Sequence, residues 1–197
     1  MGLDRVANIN VADGAEIERA KLASETLKRF EWPIADLKRG SNLLDLLSSD
    51  DGTNWANTGL PHGVGGAAHL HSYGQGASGS RTGRLIYTLP ECYKPGGTIT
   101  VRLRGRVDKI PQVAGTLDVS VRTIADWVTV GADICTTNAQ SLTTSFANYD
   151  FTITPTDRTP GDELDILLTE AVDDTGGSGG AITLYVIRAG VLLTIQG

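Results

Sequence analysis

Three histidines, His62, His69 and His71, fall within ten residues of a glycine-rich stretch, and the chain has no others. His69 and His71 stand one residue apart, so on an extended segment both face the same side, and His62 folded back would complete a nitrogen donor set for a transition metal. Cysteines are absent nearby and glycines on all sides leave the segment without rigidity, so the expectation is an exposed loop with no bound metal and no cofactor. A ring of these histidines at the symmetry axis of an oligomer is the other use open to them. Arg102, Arg104 and Arg106 form the second group, a positive row at every other position of one strand-like segment. They invite docking onto an acidic surface. They also invite pairing: if residues 98–107 and 116–124 form a hairpin, Asp118 falls opposite Arg104 or Arg106, in a cross-strand pair of ~0.2–1 kcal/mol. One aspartate cannot neutralise three arginines, so both readings stay open.

Other apparent chemistry dissolves on inspection. Residues Gly74 to Gly83 have the glycine density of a phosphate-cradling loop but lack the terminal Gly-Lys-Ser/Thr, and they lead into a strand-like segment at Arg84 rather than a helix whose amides would meet an anion. Asp50-Asp51-Gly52 and Asp173-Asp174 before Thr175-Gly176 are ordinary turn chemistry, in which a short carboxylate accepts from nearby amides. Neither has the spaced ligand order of a calcium loop. No Ser-His-Asp or Cys-His constellation with a local signature occurs. Cys92 and Cys135, the only cysteines, sit in strand-like segments and read as small apolar side chains in a reducing compartment rather than as a bridge. Nothing here points to an enzyme.

The totals set the frame for those residues. At 197 residues the chain suits one large sandwich, or one domain carrying an arm. Lys plus Arg number 17 against 23 Asp plus Glu, a net charge of −6 that opposes the long-range attraction on which nucleic-acid binding relies. Nucleic acid is therefore excluded as the main partner. Met1 to Arg5 lead into polar residues rather than an apolar signal region, and no apolar run approaches the ~18 residues of a membrane span, so no membrane association is expected.

Most of the chain from Gly97 onward alternates apolar and polar residues. Ile99, Val101, Leu103 and Val107 point one way while Thr100, Arg102, Arg104 and Arg106 point the other, because side chains on a strand repeat every two residues. Leu117, Val119 and Val121, and Tyr149, Phe151 and Ile153, repeat the pattern. Strands are predicted at 84–89, 98–107, 116–124, 127–135, 145–154, 163–171 and 181–193, after a first strand near Lys28 that carries Phe30, Trp32 and Ile34. Turns fall at Lys94-Pro95-Gly96-Gly97, Thr159-Pro160-Gly161-Asp162 and Gly176 to Gly180. The count is eight or nine. That predicts an all-β fold, a two-sheet antiparallel sandwich of jelly-roll type over residues 30–197, with an immunoglobulin-like sandwich as its main competitor, a glycine-rich loop region at about 50–83 and an N-terminal arm, residues 1–29, that is in part helical. Ala20, Ala23, Leu27 and Phe30 at helical spacing carry the helical reading. The arm has too few large apolar side chains to offset the entropy of its own ordering, so neighbouring subunits are expected to order it.

Four segments, Leu89 to Arg104, Gly115 to Val119, Phe146 to Thr154 and Pro160 to Ile166, resemble a group of small all-β virion proteins of tailed bacteriophages. The resemblance covers about half the chain, chiefly residues 84–197, and its motifs mark strand starts and turns. It implies a jelly-roll that decorates or cements the capsid exterior, a homo-oligomer, dimer or trimer, contacting the major capsid protein and assembled in the host cytoplasm. The candidate interaction surface is then Arg102, Arg104, Arg106, His62, His69 and His71. The competing class is a carbohydrate-binding or receptor-binding sandwich of a tail fibre, with Trp32, Trp55 and Trp127 as candidates for a sugar-stacking face.

Overall fold

The computed structural model describes residues 26–32, 38–39, 42–46, 70–71, 79–108, 114–125, 129–154, 157–173 and 183–195. The proposed helical arm, apart from the residues after 25, lies outside them, as do His62 and His69. Every element among the described residues is a strand. In chain order these are β1 Thr26–Trp32, β2 Lys38–Arg39, β3 Asn42–Leu46, β4 Leu70–His71, β5 Gly79–Thr88, β6 Ile99–Val107, β7 Ala114–Ala125, β8 Thr129–Val130, β9 Gln140–Ser141, β10 Ala147–Ile153, β11 Glu163–Asp173 and β12 Leu184–Ile195.

All pairings are antiparallel, and they nest. The first strand pairs with the last, β5 with β11, β6 with β10, and β7 with the short β8 and β9. Two further pairings, β12 with β6 and β11 with β7, join these nested pairs into sheets. Sheet A runs β1-β12-β6-β10, with β4 also on β12; sheet B runs β3-β2-β5-β11-β7-β8, with β9 also on β7. A ribbon folded so that first meets last, wrapped over a common core, is the jelly-roll. Both sheets turn one face inward. Strand β6 shows why: Ile99, Val101, Leu103 and Val107 are fully buried while the residues between them are partly exposed. On the opposing sheet Leu117, Val121, Leu164, Ile166 and Leu168 are fully buried as well. Each such side chain contributes about 1.5–3 kcal/mol. The inward faces therefore set the register.

Both proline-glycine turns adopt the geometry their sequences demand. In Lys94-Pro95-Gly96-Gly97 the amide of Gly97 donates to Lys94 O at 2.8 Å with Gly96 at φ +70°, and in Thr159-Pro160-Gly161-Asp162 the amide of Asp162 donates to Thr159 O at 3.2 Å with Gly161 at φ +87°. Proline presets the first turn residue and glycine takes the positive φ of the second without steric cost. The two turns lie together. Leu89 donates to Asp162 O and accepts from Gly161 N, both at 2.9 Å, and the buried Tyr93 hydroxyl donates to Gly97 O at 2.8 Å.

Four expectations need correction or adjustment. Strands β6 and β7 do not form a hairpin; they belong to different sheets, and the partners of β6 are β10 and β12, so Asp118 is not opposite the arginine row. Strand β1 begins at Thr26, inside the stretch read as an arm, because its residues pair with β12 from Ile195 backward. Strand β5 reaches back to Gly79, where ten residues pair with β11. Among the described residues, the predicted strand 127–135 holds the two residues of β8, followed by a crossover between sheets. There Asp133 Oδ1 accepts from Val121 N and Cys135 N, both at 2.9 Å, and so stands in for a ladder carbonyl. The same crossover shields the free edge of β10. Thr136 N donates to Thr152 O, Thr137 Oγ1 accepts from Thr152 N, and Gln140 Nε2 donates to Asp150 O, which leaves few groups for another strand to pair with. Cys92 and Cys135 are unbridged and half-buried.

Two outcomes follow from this packing. A Cβ built on Gly190 would lie 2.6 Å from Phe30 O and 3.2 Å from Glu31 Cα, both backbone atoms of β1. Gly190→Ala is expected to push β1 off β12 and lower stability by about 1–3 kcal/mol, read as the denaturation midpoint. Separately, burial pushes the Tyr87 hydroxyl up to about 12, with Cys92 beside it adding a smaller push in the same direction. The folded state thus holds a proton that the unfolded chain releases near pH ~10, so stability is intact below about pH 10 and declines as pH rises toward about 12. Tyr87→Phe should flatten that alkaline decline in urea titrations at about pH 9 and about pH 11; an identical decline in the variant would contradict the assignment.

Candidate functional site

Because β6 is interior to sheet A, each arginine of its row has a neighbour on both sides, and the register names them. Asp150 of β10 sits opposite Arg102, and the pair is bidentate, with Arg102 Nε to Asp150 Oδ1 at 2.6 Å and Nη2 to Oδ2 at 2.5 Å. That side-chain hydrogen bonding raises the Arg102 guanidinium further above its ordinary range. Arg104 has Asn148 on one side, a weak contact of 3.4 Å from Nη1 to Oδ1, and Arg188 of β12 on the other. Two like charges face one another there. Arg106 lies with its guanidinium carbon 5.0 Å from the centre of the Phe146 ring and 5.2 Å from that of Tyr185, within range of cation–π attraction to both. Its Nε is buried and makes no hydrogen bond.

The bulge at Val186/Arg188 is what brings Arg188 to this face. One extra residue, Ile187, lets Val186 and Ala189 both point inward while Arg188 points out beside Arg104. Strand β1 adds Arg29, whose Nη2 lies 3.3 Å from Glu31 Oε1. Among the described residues the outward positions of sheet A thus carry five arginines, Arg29, Arg102, Arg104, Arg106 and Arg188, against two acids, Glu31 and Asp150. This is a basic face on a chain of net charge −6. The exposed large apolar side chains among the described residues, Leu27 at 57% and Phe146 at 37%, sit toward opposite corners of the same face.

Of the six candidate surface residues, the structure gathers the three arginines and adds Arg188 and Arg29. His71 belongs to β4, where its register partner is Tyr185, so it occupies the same row as Tyr185 and Arg106. Arg188 escaped sequence reasoning because its segment, Leu184 to Ile195, lacks strict alternation, and nothing local tells which strand will lie beside it. Trp32 is no sugar platform: it is buried between the sheets at 8% exposure, its ring 5.7 Å from that of Tyr87. Trp55 and Trp127 lie outside the described residues.

No family model matches the chain. A search of curated proteins likewise gives no match. Among solved structures, TmCBM61 in complex with beta-1,4-galactotriose overlaps with a TM-score of 0.41 at 10% identity, covering 66% of this chain and 72% of that one. A Family 16 Carbohydrate Binding Module-2 gives 0.42 at 14% identity, over 72% of this chain and 90% of its own. A chain of infectious bursal disease virus, Gx strain, gives 0.35 at 13% identity, over 66% and 32%. At such TM-scores the overlaps carry no residue-level correspondence.

The arginine face has a checkable energetic signature. Like charges directly opposite on adjacent strands destabilise a sheet, and opposite charges contribute ~0.2–1 kcal/mol. Arg188→Glu, facing Arg104, is therefore expected to raise stability by a few tenths to about 1 kcal/mol at low salt, with the gain shrinking as salt is added. Thermal unfolding at two ionic strengths checks this, and a loss of stability would show that Arg188 has a structural role.

Proposed function

We propose that this chain is a non-enzymatic docking protein, a jelly-roll that decorates or cements a tailed-phage capsid and engages an acidic surface of the shell through the outer face of sheet A. One observation carries the reading: five arginines converge on one sheet face of an acidic protein, two of them directly opposite each other. An arrangement that concentrates one sign of charge is suited to a complementary partner. Arg106, stacked between two rings and bordered by exposed Phe146, has the composition of an interface anchor.

The size of the face supports a multivalent role. Strand β6 is nine residues long, and at about 3.3 Å per residue and about 4.8 Å between four strands the face measures on the order of 30 by 15 Å. That is roughly half the ~800 Å² per partner of a stable stand-alone interface. A homo-oligomer, dimer or trimer, would present several such faces at once and gain avidity without any new contact.

The test is co-sedimentation of the purified full chain with heads of the parent phage that lack it. Binding is expected to weaken with salt, and Arg104→Glu/Arg106→Glu/Arg188→Glu should abolish it while the β-rich circular dichroism spectrum is retained. Salt-independent binding that survives all three reversals would overturn the docking face.

A further inference from the structure

The opposite sheet carries a second polar site that the docking face does not use. On the outer side of sheet B, Arg84, Ser120, Arg122, Asp165 and Leu167 line a cleft of about 150 Å³. The register lays it out as two rows across three strands: Arg84, Leu167 and Ser120 in one, Ile86, Asp165 and Arg122 in the next. Leu167 is the apolar centre and the polar groups surround it.

Asp165 is only 5% exposed although it points away from the core. It is held by Arg84 through Nε to Oδ1 and Nη2 to Oδ2, both 2.5 Å, and this hydrogen bonding raises the Arg84 guanidinium. A fork used in this way leaves Arg84 Nη1 uncommitted. Arg122 is directly opposite Asp165 yet makes no ion pair with it, and among the described residues neither its guanidinium nor the Ser120 hydroxyl has a hydrogen-bond partner. The cleft therefore offers donors at Arg122, Ser120 and Arg84 Nη1, an acceptor at Asp165 whose oxygens each have a second lone pair, an apolar floor, and one net positive charge among its lining residues.

We propose that this cleft binds a single acidic sugar residue, a hexuronate or close relative. The surplus positive charge selects a monoanion, and the open guanidinium of Arg122 selects a carboxylate in particular, which it can grip with two parallel bonds. Asp165, already paired with Arg84, keeps lone pairs that can accept from a ligand hydroxyl, a donor that the carboxylate of an acidic protein side chain does not supply. Leu167 accepts the C–H face of a ring. The volume limits the occupant to one residue, since clefts that enclose a whole drug-sized ligand begin near ~300 Å³. This inference does not rest on the docking role of sheet A, and either can fail alone.

The experiment is a heteronuclear NMR titration of the full chain with glucuronate, with glucose and with acetate. Glucuronate is expected to shift the amides of Ser120, Arg122, Asp165 and Leu167 saturably, and more tightly than either control by about tenfold or more, the scale of a charge-assisted hydrogen bond. Arg122→Gln, at an exposed position, should cost a similar factor, and Ser120→Ala a smaller one; Arg104→Glu on the other sheet should leave binding unchanged. Glucose equal to glucuronate would overturn the acidic selection, acetate equal to glucuronate would reduce the site to a generic carboxylate contact, and no saturable shift, or an Arg122→Gln variant that binds as tightly, would remove the site altogether.

Discussion

The pairing of β12 with β1 on one edge and β6 on the other is the constraint on which the rest depends. It joins the beginning of the described chain to its end, places β6 inside sheet A rather than at its margin, and so gives every arginine of the row two neighbours. The fit is close at both edges. Gly190 lies against the backbone of β1, and a Cβ on Gly105 would come within 2.7 Å of Tyr185 O on β12. Two glycines thus let three strands approach where a side chain would part them. The bulge at Val186/Arg188 turns Arg188 outward and so adds one of the five arginines to the outer face of sheet A.

Burial and surface charge act on different scales, which is why the two faces of β6 can serve different ends. The four apolar residues on its inner face contribute several kcal/mol in total, whereas an exposed pair such as Arg102–Asp150, with side chains 29% and 43% exposed, contributes at most about 1 kcal/mol. The register is thus held from inside, and the outward residues can change with little effect on the fold. An arginine opposite an arginine persists under those terms. It costs tenths of a kcal/mol against a core worth many times more.

The two outer faces differ in kind. Sheet A offers a broad basic surface with aromatic and aliphatic side chains at its margin, suited to a large partner through many weak contacts. Sheet B concentrates one carboxylate and two guanidinium groups around a single leucine, suited to something small. The edge of β10, by contrast, is shielded by the crossover and offers few groups for strand addition.

Much of this was legible in the sequence, and the part that was not has one cause. The alternation in Thr98 to Val107 and in Tyr149 to Ile153 determined which residues face inward, because the strand period is a local property of the backbone. Lys94-Pro95-Gly96-Gly97 and Thr159-Pro160-Gly161-Asp162 determined two turns, because proline and glycine restrict their own dihedrals. The arginine row was visible as a row. Its partners were not: Asp118, seemingly near, lies on the other sheet, while Asp150, 48 residues on, grips Arg102. Arg84 and Asp165, 81 residues apart, form the heart of the second site, and no local pattern connects them. Which strand lies beside which is decided by the nested closure of two sheets around one core, and a hydrogen-bond ladder reads the same locally whatever strand completes it. Tertiary structure alone joined the arginine row to Arg29 and Arg188 in one basic face, and made a cleft out of five residues drawn from three strands.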